Sequence, residues 1–324
     1  MSNSDELQAN ANIDISFIIP HMGREEMLID TLSSISAQQF DLSCIEIWIV
    51  TKNKQLQDET FNAADTVQLN VIYADTNITI SHQRNIGAKH AKGEFLAFLD
   101  ADIGLADNWI QAMLEKLSSD KNIKLVSAIQ KNSENAPPLE RLRTALSNAD
   151  VDCKVEFLPG RNLLLHKTTF AAVGGFPEHL ETCEDYVFTQ AVSEIGQLFY
   201  SADSHYVHIG EDKAFSQMAE KEVWRGLSNI ASVKGRTVPL SEWPSFFAPP
   251  LFTFGIIFLC LLSIGGWFIF AAIAAIGAFS ILALYSVRLS RIAKGDPTFA
   301  TILKFYSIYF PARTWGTIKG LFQR

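Results

Sequence analysis

Two aspartates separated by one alanine, Asp100 and Asp102, are the residues whose types and spacing first suggest chemistry. They follow the apolar run 95–99, which is typical of a buried strand. Two carboxylates this close repel each other unless a cation or water lies between them. Hard cations such as Mg²⁺ prefer one or two carboxylates together with substrate phosphates. The triplet therefore suggests a metal–phosphate site, with a solvated turn at a strand end as the alternative.

The elements that must position this triplet predict an α/β domain. Short apolar runs alternate with longer mixed segments, which indicates strands alternating with helices in a mainly parallel sheet. Such sheets bind ligands at the carboxyl ends of their strands, where the two aspartates are expected to lie. The strands are expected at 14–20, 45–50, 70–74 and 94–100, and the helices at 27–38 and 81–93.

Composition narrows the class of protein. The chain has 35 acidic against 27 basic residues and a formal net charge of −8, which argues against nucleic-acid binding. The cysteines lack metal-ligand spacing and indicate free thiols in a reducing compartment. Because residues 1–12 are polar and carry no secretory signal, we expect a flexible N-terminus followed by a cytosolic domain.

Residues 246–287 predict a membrane hairpin, because they contain no Asp, Glu, Lys or Arg. One crossing takes about 20 apolar residues, and Ser263–Gly266 forms a natural turn, so helices are expected at about 246–264 and 267–287. A buried hairpin in a soluble core is the alternative, although soluble helices need a polar face. Basic flanks on both sides predict a multi-pass protein of the cytoplasmic (inner) membrane with both flanks in the cytoplasm.

The segment 288–324 carries seven Lys or Arg residues against one acid, interleaved with aromatic residues. This pattern predicts a basic amphipathic cytoplasmic tail that lies on the anionic inner leaflet and contacts membrane lipids. An ordinary amphipathic helix that packs on the soluble domain is the alternative.

Four stretches, in order over about 15–210, resemble family 2 glycosyltransferases of the membrane-anchored bacterial type with a C-terminal transmembrane hairpin. They read "ISFIIPHMGREEMLIDTLSSISAQ", "SHQRNIGAKHAKGEFLAFLDADI", "GRNLLLHKTTFAAVGGFPEHLETCEDYVFTQAV" and "HYVHIG". The resemblance implies a Rossmann-like glycosyltransferase-A catalytic domain at 13–240. The hairpin at 246–287 and the tail at 288–324 would follow it.

On the donor side, the resemblance implies that Asp102 and His208 hold a divalent cation, Mn²⁺ or Mg²⁺. A surface histidine after a strand is the alternative for His208. Asp100 would lie near the ribose or sugar of a nucleotide-diphosphate sugar. Four more residues would contact the nucleotide part of the donor: Pro20, Arg24, Thr51 and Arg84. For Arg84 the alternative is an ordinary cation on a helix surface. Asn162 is a candidate on the acceptor side.

An inverting transfer needs a general base, and the resemblance assigns that role to Asp185, with Glu184 orienting or polarising. The alternative is a charge pair that the dipole favours at a helix N-terminus. The chain departs from the family at "IVTKNKQ" (49–55), which lacks the usual acids and leaves the nucleobase open. It also lacks the Gln-x-x-Arg-Trp motif of processive synthases, which favours addition of a single sugar.

These features predict a metal-dependent inverting glycosyltransferase of the hexosyltransferase type. It would move one sugar to a hydroxyl of a lipid-linked or envelope-glycan acceptor at the cytoplasmic membrane face. Two alternatives stay open: a degenerate, non-catalytic transferase-fold scaffold in glycan assembly or export, and a nucleotidyltransferase of similar build.

Overall fold

The computed structural model describes residues 13–234, 238, 240 and 242–322, so the predicted flexible segment 1–12 lies outside the described residues. The chain forms two compact units. The first comprises the described residues up to Ser133 together with Asp150–Gly210, and the second comprises Glu134–Ala149 and the described residues from Glu211 onward. The domain boundary expected at 240 stays a prediction.

The first unit is built on a nine-stranded mixed sheet in the order β3-β2-β1-β4-β8-β6-β9-β5, with β7 paired to β9. The strands are β1 (Ile15–His21), β2 (Ile45–Thr51), β3 (Gln68–Tyr73), β4 (Phe95–Leu99), β5 (Ile103–Leu105), β6 (Ile123–Lys131), β7 (Cys153–Val155), β8 (Asn162–His166) and β9 (Gln197–His208).

The parallel half of the sheet, β3-β2-β1-β4, agrees with the prediction. Beyond β4 the sheet becomes mixed, because β8 runs antiparallel to both β4 and β6. The short apolar run of β8 carries no signal for direction, since a buried strand has the same pattern in either orientation.

The helices are α1 (Glu25–Ser36), α2 (Asp58–Asn62), α3 (Ile80–His90), α4 (Trp109–Ser119), α5 (Pro138–Ser147), α6 (Lys167–Val173), α7 (Glu184–Ser193), α8 (Phe215–Gly226), α9 (Trp243–Ile264), α10 (Phe268–Ile292) and α11 (Phe299–Phe322). Both faces of the sheet are covered. In β1, Phe17 and Ile19 enter one apolar cluster and Ile18 enters the other, since successive side chains point to opposite faces.

The second unit contains two helices, α9 and α10, that are long and apolar enough to cross a membrane. They confirm the two predicted apolar helices and extend them to Trp243 and Ile292. The turn between them contains Gly266, whose φ of +77° lies in the left-handed region that glycine adopts freely.

The tail helix α11 packs against α8, α9 and α10 within the second unit. A Cβ at Gly316 would meet the carbonyl oxygen of Val223, and one at Gly320 would meet that of Leu227. The backbones of α8 and α11 approach this closely only because glycine has no side chain. Helix packing is thus what the structure shows for the tail, while its contact with the inner leaflet stays a prediction.

A buried ion cluster joins three helices of the second unit. The fully buried Glu222 of α8 accepts hydrogen bonds from Arg143 of α5 (3.1 Å), from Arg225 (2.6 Å) and from Arg313 of α11. Burial by itself raises the pKa of a carboxyl group, but the three guanidinium groups hold the pKa of Glu222 at about 2.

Candidate active site

The aspartate triplet lies at the carboxyl end of β4. Asp100 follows the last strand residue, Leu99, and its amide donates to the carbonyl oxygen of Arg161 at 3.1 Å. Asp102 directly precedes β5. The two acids have different environments, because Asp102 is buried whereas the Asp100 side chain is 31% exposed.

His208 meets Asp102 because β5 pairs with the end of β9. The antiparallel register places Ile103 opposite His208, and the amide of Ile209 donates to the Asp102 carbonyl at 2.8 Å. His208 Nε2 then lies 3.4 Å from Asp102 Oδ1, and both side chains are buried. His208 is therefore not a surface histidine.

Arg24 reaches the same carboxylate from the start of α1. Its Nη2 lies 3.1 Å from Asp102 Oδ2, while 59% of the Arg24 side chain stays exposed. Arg24 has a φ of +21°, which is uncommon for a residue with a Cβ, and Gly23 before it also has a positive φ. The tight loop thus carries an exposed cation to the acid site.

Gly210 makes room for this arrangement, and sequence reasoning missed it. A Cβ at Gly210 would run into Asp102 Oδ2 and lie 2.9 Å from Arg24 Nη1. The available signal was a glycine two residues after His208 in "HIGED". Only glycine can occupy this position without displacing the carboxylate.

Asp102 Oδ1 and His208 Nε2 are spaced as two ligands of one divalent cation could be, but His208 Nδ1 accepts from Arg161 Nη1 at 3.2 Å, so metal binding through Nε2 would require Arg161 to release Nδ1. Two donors bound at about 2.1 Å to one ion can lie up to about 4.2 Å apart, and Oδ1 and Nε2 are 3.4 Å apart. Within the part of the chain that the structure describes, no three His, Cys, Asp or Glu side chains gather into a metal cage. A pair of protein ligands suits a cation whose remaining ligands are phosphate oxygens and water.

Arg84 is a buried link between the two groups of acids. It projects from α3, and its Nη2 donates to Asp100 Oδ1 while its Nη1 donates to Glu184 Oε1, each at 2.8 Å. Its Nη2 also approaches the carbonyl oxygen of Gly160 at 3.3 Å. Arg84 is 1% exposed and is therefore not a helix-surface cation.

Glu184 and Asp185 open α7 and have different partners. Glu184 is buried and pairs with Arg84. Asp185 is partly buried and accepts from two backbone amides, those of Gly160 (3.2 Å) and Tyr186 (2.9 Å). Asp185 as a whole residue thus retains more exposed surface than Glu184, and the N–H groups that hold its carboxylate leave lone pairs available.

Burial controls the protonation of this pair. Burial first, and then the charge of Asp185, raise the pKa of Glu184 to about 7 against the opposing effect of Arg84. Burial also raises the pKa of Asp185, while the Gly160 amide and Arg84 oppose it. Carboxyls whose pKa values are raised change their protonation state closer to neutral pH than ordinary carboxyls do, as suits general acid–base chemistry.

The predicted nucleobase residues lie at the paired ends of β1 and β2. Pro20 is buried inside β1, and Thr51 is fully buried opposite His21. The Thr51 hydroxyl lies 2.9 Å from His21 Nδ1 and accepts from the Asn53 amide at 3.0 Å. Thr51 therefore supports the loop 52–55, and His21, which sequence reasoning missed, is its partner.

Asparagine side chains also fix the surrounding segments. The Asn162 side chain is fully buried; it accepts a hydrogen bond from Trp109 Nε1 (3.0 Å) and donates one to the Ala128 carbonyl (3.3 Å). The structure therefore places this acceptor-side candidate in the core. Asn85 instead donates to the carbonyl of Phe176 (2.9 Å) and accepts from its amide (2.9 Å). Asn85 thereby fastens the segment that leads to α7.

A mixed α/β sheet with acids after β4 and at the start of α7 defines the class as glycosyltransferase-A-fold proteins. Residues 16–176 match the family model described as Glycosyl transferase family 2, and the chain belongs to this family. The resemblance and the fold class predicted from the sequence are thereby confirmed.

Two relatives are similar over part of the chain. An uncharacterized glycosyltransferase of Haemophilus influenzae is 24% identical over 54% of this chain, which spans 60% of that protein's length. Glycosyltransferase AglE of Haloferax volcanii is 24% identical over 67% of this chain and 73% of its own.

A solved structure is similar over nearly the whole chain. The mannosyltransferase of Pyrobaculum calidifontis, in complex with GDP-Man and Mn²⁺, has a TM-score of 0.61 at 15% identity. The match covers 99% of this chain and 93% of that one. At this identity the likeness shows the fold.

Proposed function

We propose that this protein is a metal-dependent, inverting glycosyltransferase of the hexosyltransferase type. It moves one sugar from a nucleotide-diphosphate sugar to a hydroxyl of a lipid-linked or envelope-glycan acceptor. The observation that carries this proposal is the position of Arg84, which hydrogen-bonds both Asp100 and Glu184. One buried guanidinium thus holds the acids of the donor side and of the base side in one constellation.

On the donor side, Asp102 and His208 would hold the divalent cation, Mn²⁺ or Mg²⁺. When bound, the cation supplies stabilisation of the negative charge that develops on the departing nucleoside diphosphate. The Arg24 side chain is 59% exposed and its Nη2 lies 3.1 Å from Asp102 Oδ2, which supports a role in binding donor phosphate. Asp100, held by Arg84, is assigned to the ribose or sugar.

On the acceptor side, Asp185 takes the proton of the acceptor hydroxyl. The acceptor oxygen forms the new bond at the anomeric carbon while the bond to the diphosphate breaks, and the electron pair leaves with the nucleoside diphosphate. A single displacement of this kind inverts the anomeric configuration. Glu184, bonded to Arg84, orients the start of α7 and sets the electrostatic environment of Asp185.

The two apolar helices support a membrane setting. Anchoring raises the effective concentration of a membrane-bound acceptor. The basic flanks favour a cytoplasmic catalytic domain and C-terminus, with the chain in the cytoplasmic membrane. Two crossing helices and the missing Gln-x-x-Arg-Trp motif favour single-sugar addition.

The test is release of nucleoside diphosphate by the purified full chain from a panel of sugar nucleotides, with Mn²⁺ or Mg²⁺. Asp102→Asn and Asp185→Asn should each lower the rate by at least about a hundredfold, the scale of a lost general base or metal-stabilised leaving group. Asp65→Asn, at an exposed position, is the matched control. Full activity of both site variants would refute the assignment, and a folded chain that binds no donor would favour the scaffold.

A further inference from the structure

A pair of stacked aromatic rings lies beside the proposed base and has no part in the chemistry described above. The rings of Phe157 and Tyr186 have centroids 3.9 Å apart and planes inclined by 9°. Both side chains are partly buried, so each retains some exposed surface. We call Phe157 and Tyr186 the aromatic pair.

The backbone that carries the aromatic pair is the backbone that holds Asp185. Tyr186 directly follows Asp185, and its amide donates to Asp185 Oδ1 at 2.9 Å. Phe157 precedes Gly160, whose amide donates to Asp185 Oδ2 at 3.2 Å. Between them, Leu158 is buried in the apolar core and fixes the segment. The aromatic pair therefore has a defined position relative to the carboxylate.

An acceptor bound at Asp185 comes close to the two segments that carry these rings. A general base works within about 2.6–3.2 Å of the proton that it removes, and neighbouring Cα atoms are about 3.8 Å apart. A group bonded to the reacting hydroxyl thus lies within side-chain reach of Tyr186. The faces of a pyranose ring carry C–H groups. Stacking these groups on an aromatic ring removes apolar surface from water, which is favourable.

We infer that the aromatic pair is the platform on which the acceptor's own sugar ring stacks, so the reacting hydroxyl belongs to a pyranose rather than to a phosphorylated alcohol. The inference rests on the proposed function and specifies its acceptor. A phosphate acceptor would favour free cations at the base, whereas Asp185 accepts from backbone amides of the two segments that carry the aromatic pair. The neighbouring guanidinium groups are engaged, Arg84 by Asp100 and Glu184 and Arg161 by His208.

The test is a binding titration by saturation-transfer NMR on the full chain in a sugar-free zwitterionic detergent. The probes are the methyl glycosides of glucose, galactose, mannose and N-acetylglucosamine, with glycerol 3-phosphate as the phosphorylated alcohol. Each is added in a buffer that contains Mg²⁺ and no paramagnetic Mn²⁺, first alone and then with UDP or GDP. We expect at least one methyl glycoside to receive saturation, and glycerol 3-phosphate to receive none.

The variants separate stacking from folding. Phe157→Leu and Tyr186→Leu should each weaken glycoside binding about two- to tenfold, the scale of one lost aromatic contact. Tyr186→Phe keeps the ring and should bind as the wild type does. Phe61→Leu, an exposed aromatic position on α2, is the control and should leave binding unchanged.

Two outcomes would overturn the inference. One is equal glycoside binding by the leucine variants and the wild type. The other is binding of glycerol 3-phosphate when none of the methyl glycosides binds. Saturation received by UDP or GDP in the same samples shows whether the donor site binds a nucleotide. If the nucleotides bind and the glycoside result fails, only the aromatic platform is refuted. If no nucleotide binds to a folded chain, the proposed function itself fails.

Discussion

Replacing Arg84 by methionine should move the pH dependence of the reaction. The guanidinium donates to Glu184 Oε1 at 2.8 Å and stabilises the charged form of that carboxyl. Its removal leaves burial and the charge of Asp185, both of which raise the pKa of Glu184 above its present value of about 7. The charged form of the buried pair then persists only at higher pH.

The size of the shift follows from the lost hydrogen bond. A hydrogen bond to a charged group contributes about 1.5–3 kcal/mol, and one pKa unit corresponds to about 1.4 kcal/mol. The acidic limb of the pH–rate profile should therefore move upward by about one to two units. Because Asp100 loses the same partner, kcat/KM at the optimum should also fall by about a hundredfold, the usual cost of a misplaced group.

The assay is nucleoside-diphosphate release measured from pH 5.5 to 9 (about the range over which a group near neutrality titrates). Arg84→Lys keeps the positive charge but lacks the forked guanidinium that hydrogen-bonds both Asp100 and Glu184. Its pH–rate profile should therefore lie between those of the wild type and Arg84→Met. Lys116→Met removes a cation that pairs with Asp203 and should leave the profile unchanged. An acidic limb that does not move in Arg84→Met would refute the coupling of Arg84 to Glu184.

Two further predictions concern other contacts. Gly210→Ala should weaken Mn²⁺ binding about tenfold, because the added Cβ meets Asp102; the affinity is measured by electron paramagnetic resonance. Gly104→Ala is the control and should bind Mn²⁺ as the wild type does, because the nearest atom to its added Cβ lies at 3.8 Å. Equal Mn²⁺ affinities of the two variants would contradict the close-packing explanation. Glu222 has a folded pKa of about 2 against 4.5, so its stabilisation, about 3 kcal/mol, is complete above pH 4.5 and lost as the pH falls through 2. Glu222→Gln should lower the melting temperature at pH 7, and the difference from the wild type should shrink toward pH 2; a constant difference would contradict this.

The local sequence was sufficient for the elements that carry the donor site. The apolar runs of β1, β2 and β4 and the polar residues after them set both the strands and their ends, since burial on both faces demands continuous apolar runs. The uncharged stretch 246–287 likewise determined two apolar helices, because length and hydropathy are local properties.

Asn162 shows what local reasoning could not see. The sequence suggested Asn162 as an acceptor-side residue. In the structure its side-chain amide forms hydrogen bonds with Trp109 and with the Ala128 carbonyl in the core. Which face of a strand a residue occupies depends on register, and a shift of one residue exchanges the two faces. Thr51 was likewise expected at the nucleotide, and its burial against His21 follows from the β1–β2 register.

The sequence by itself determined the α/β elements, the aspartate triplet at a strand end, the acid pair at a helix start and the apolar hairpin. Only the tertiary structure decided that His208 faces Asp102 through the β5–β9 pairing, and that Arg84 reaches across 100 residues to Glu184. The physical reason is range: hydrophobic periodicity and turn chemistry act between near neighbours. The partner of a buried charge is fixed by strand order and register, which no single segment encodes.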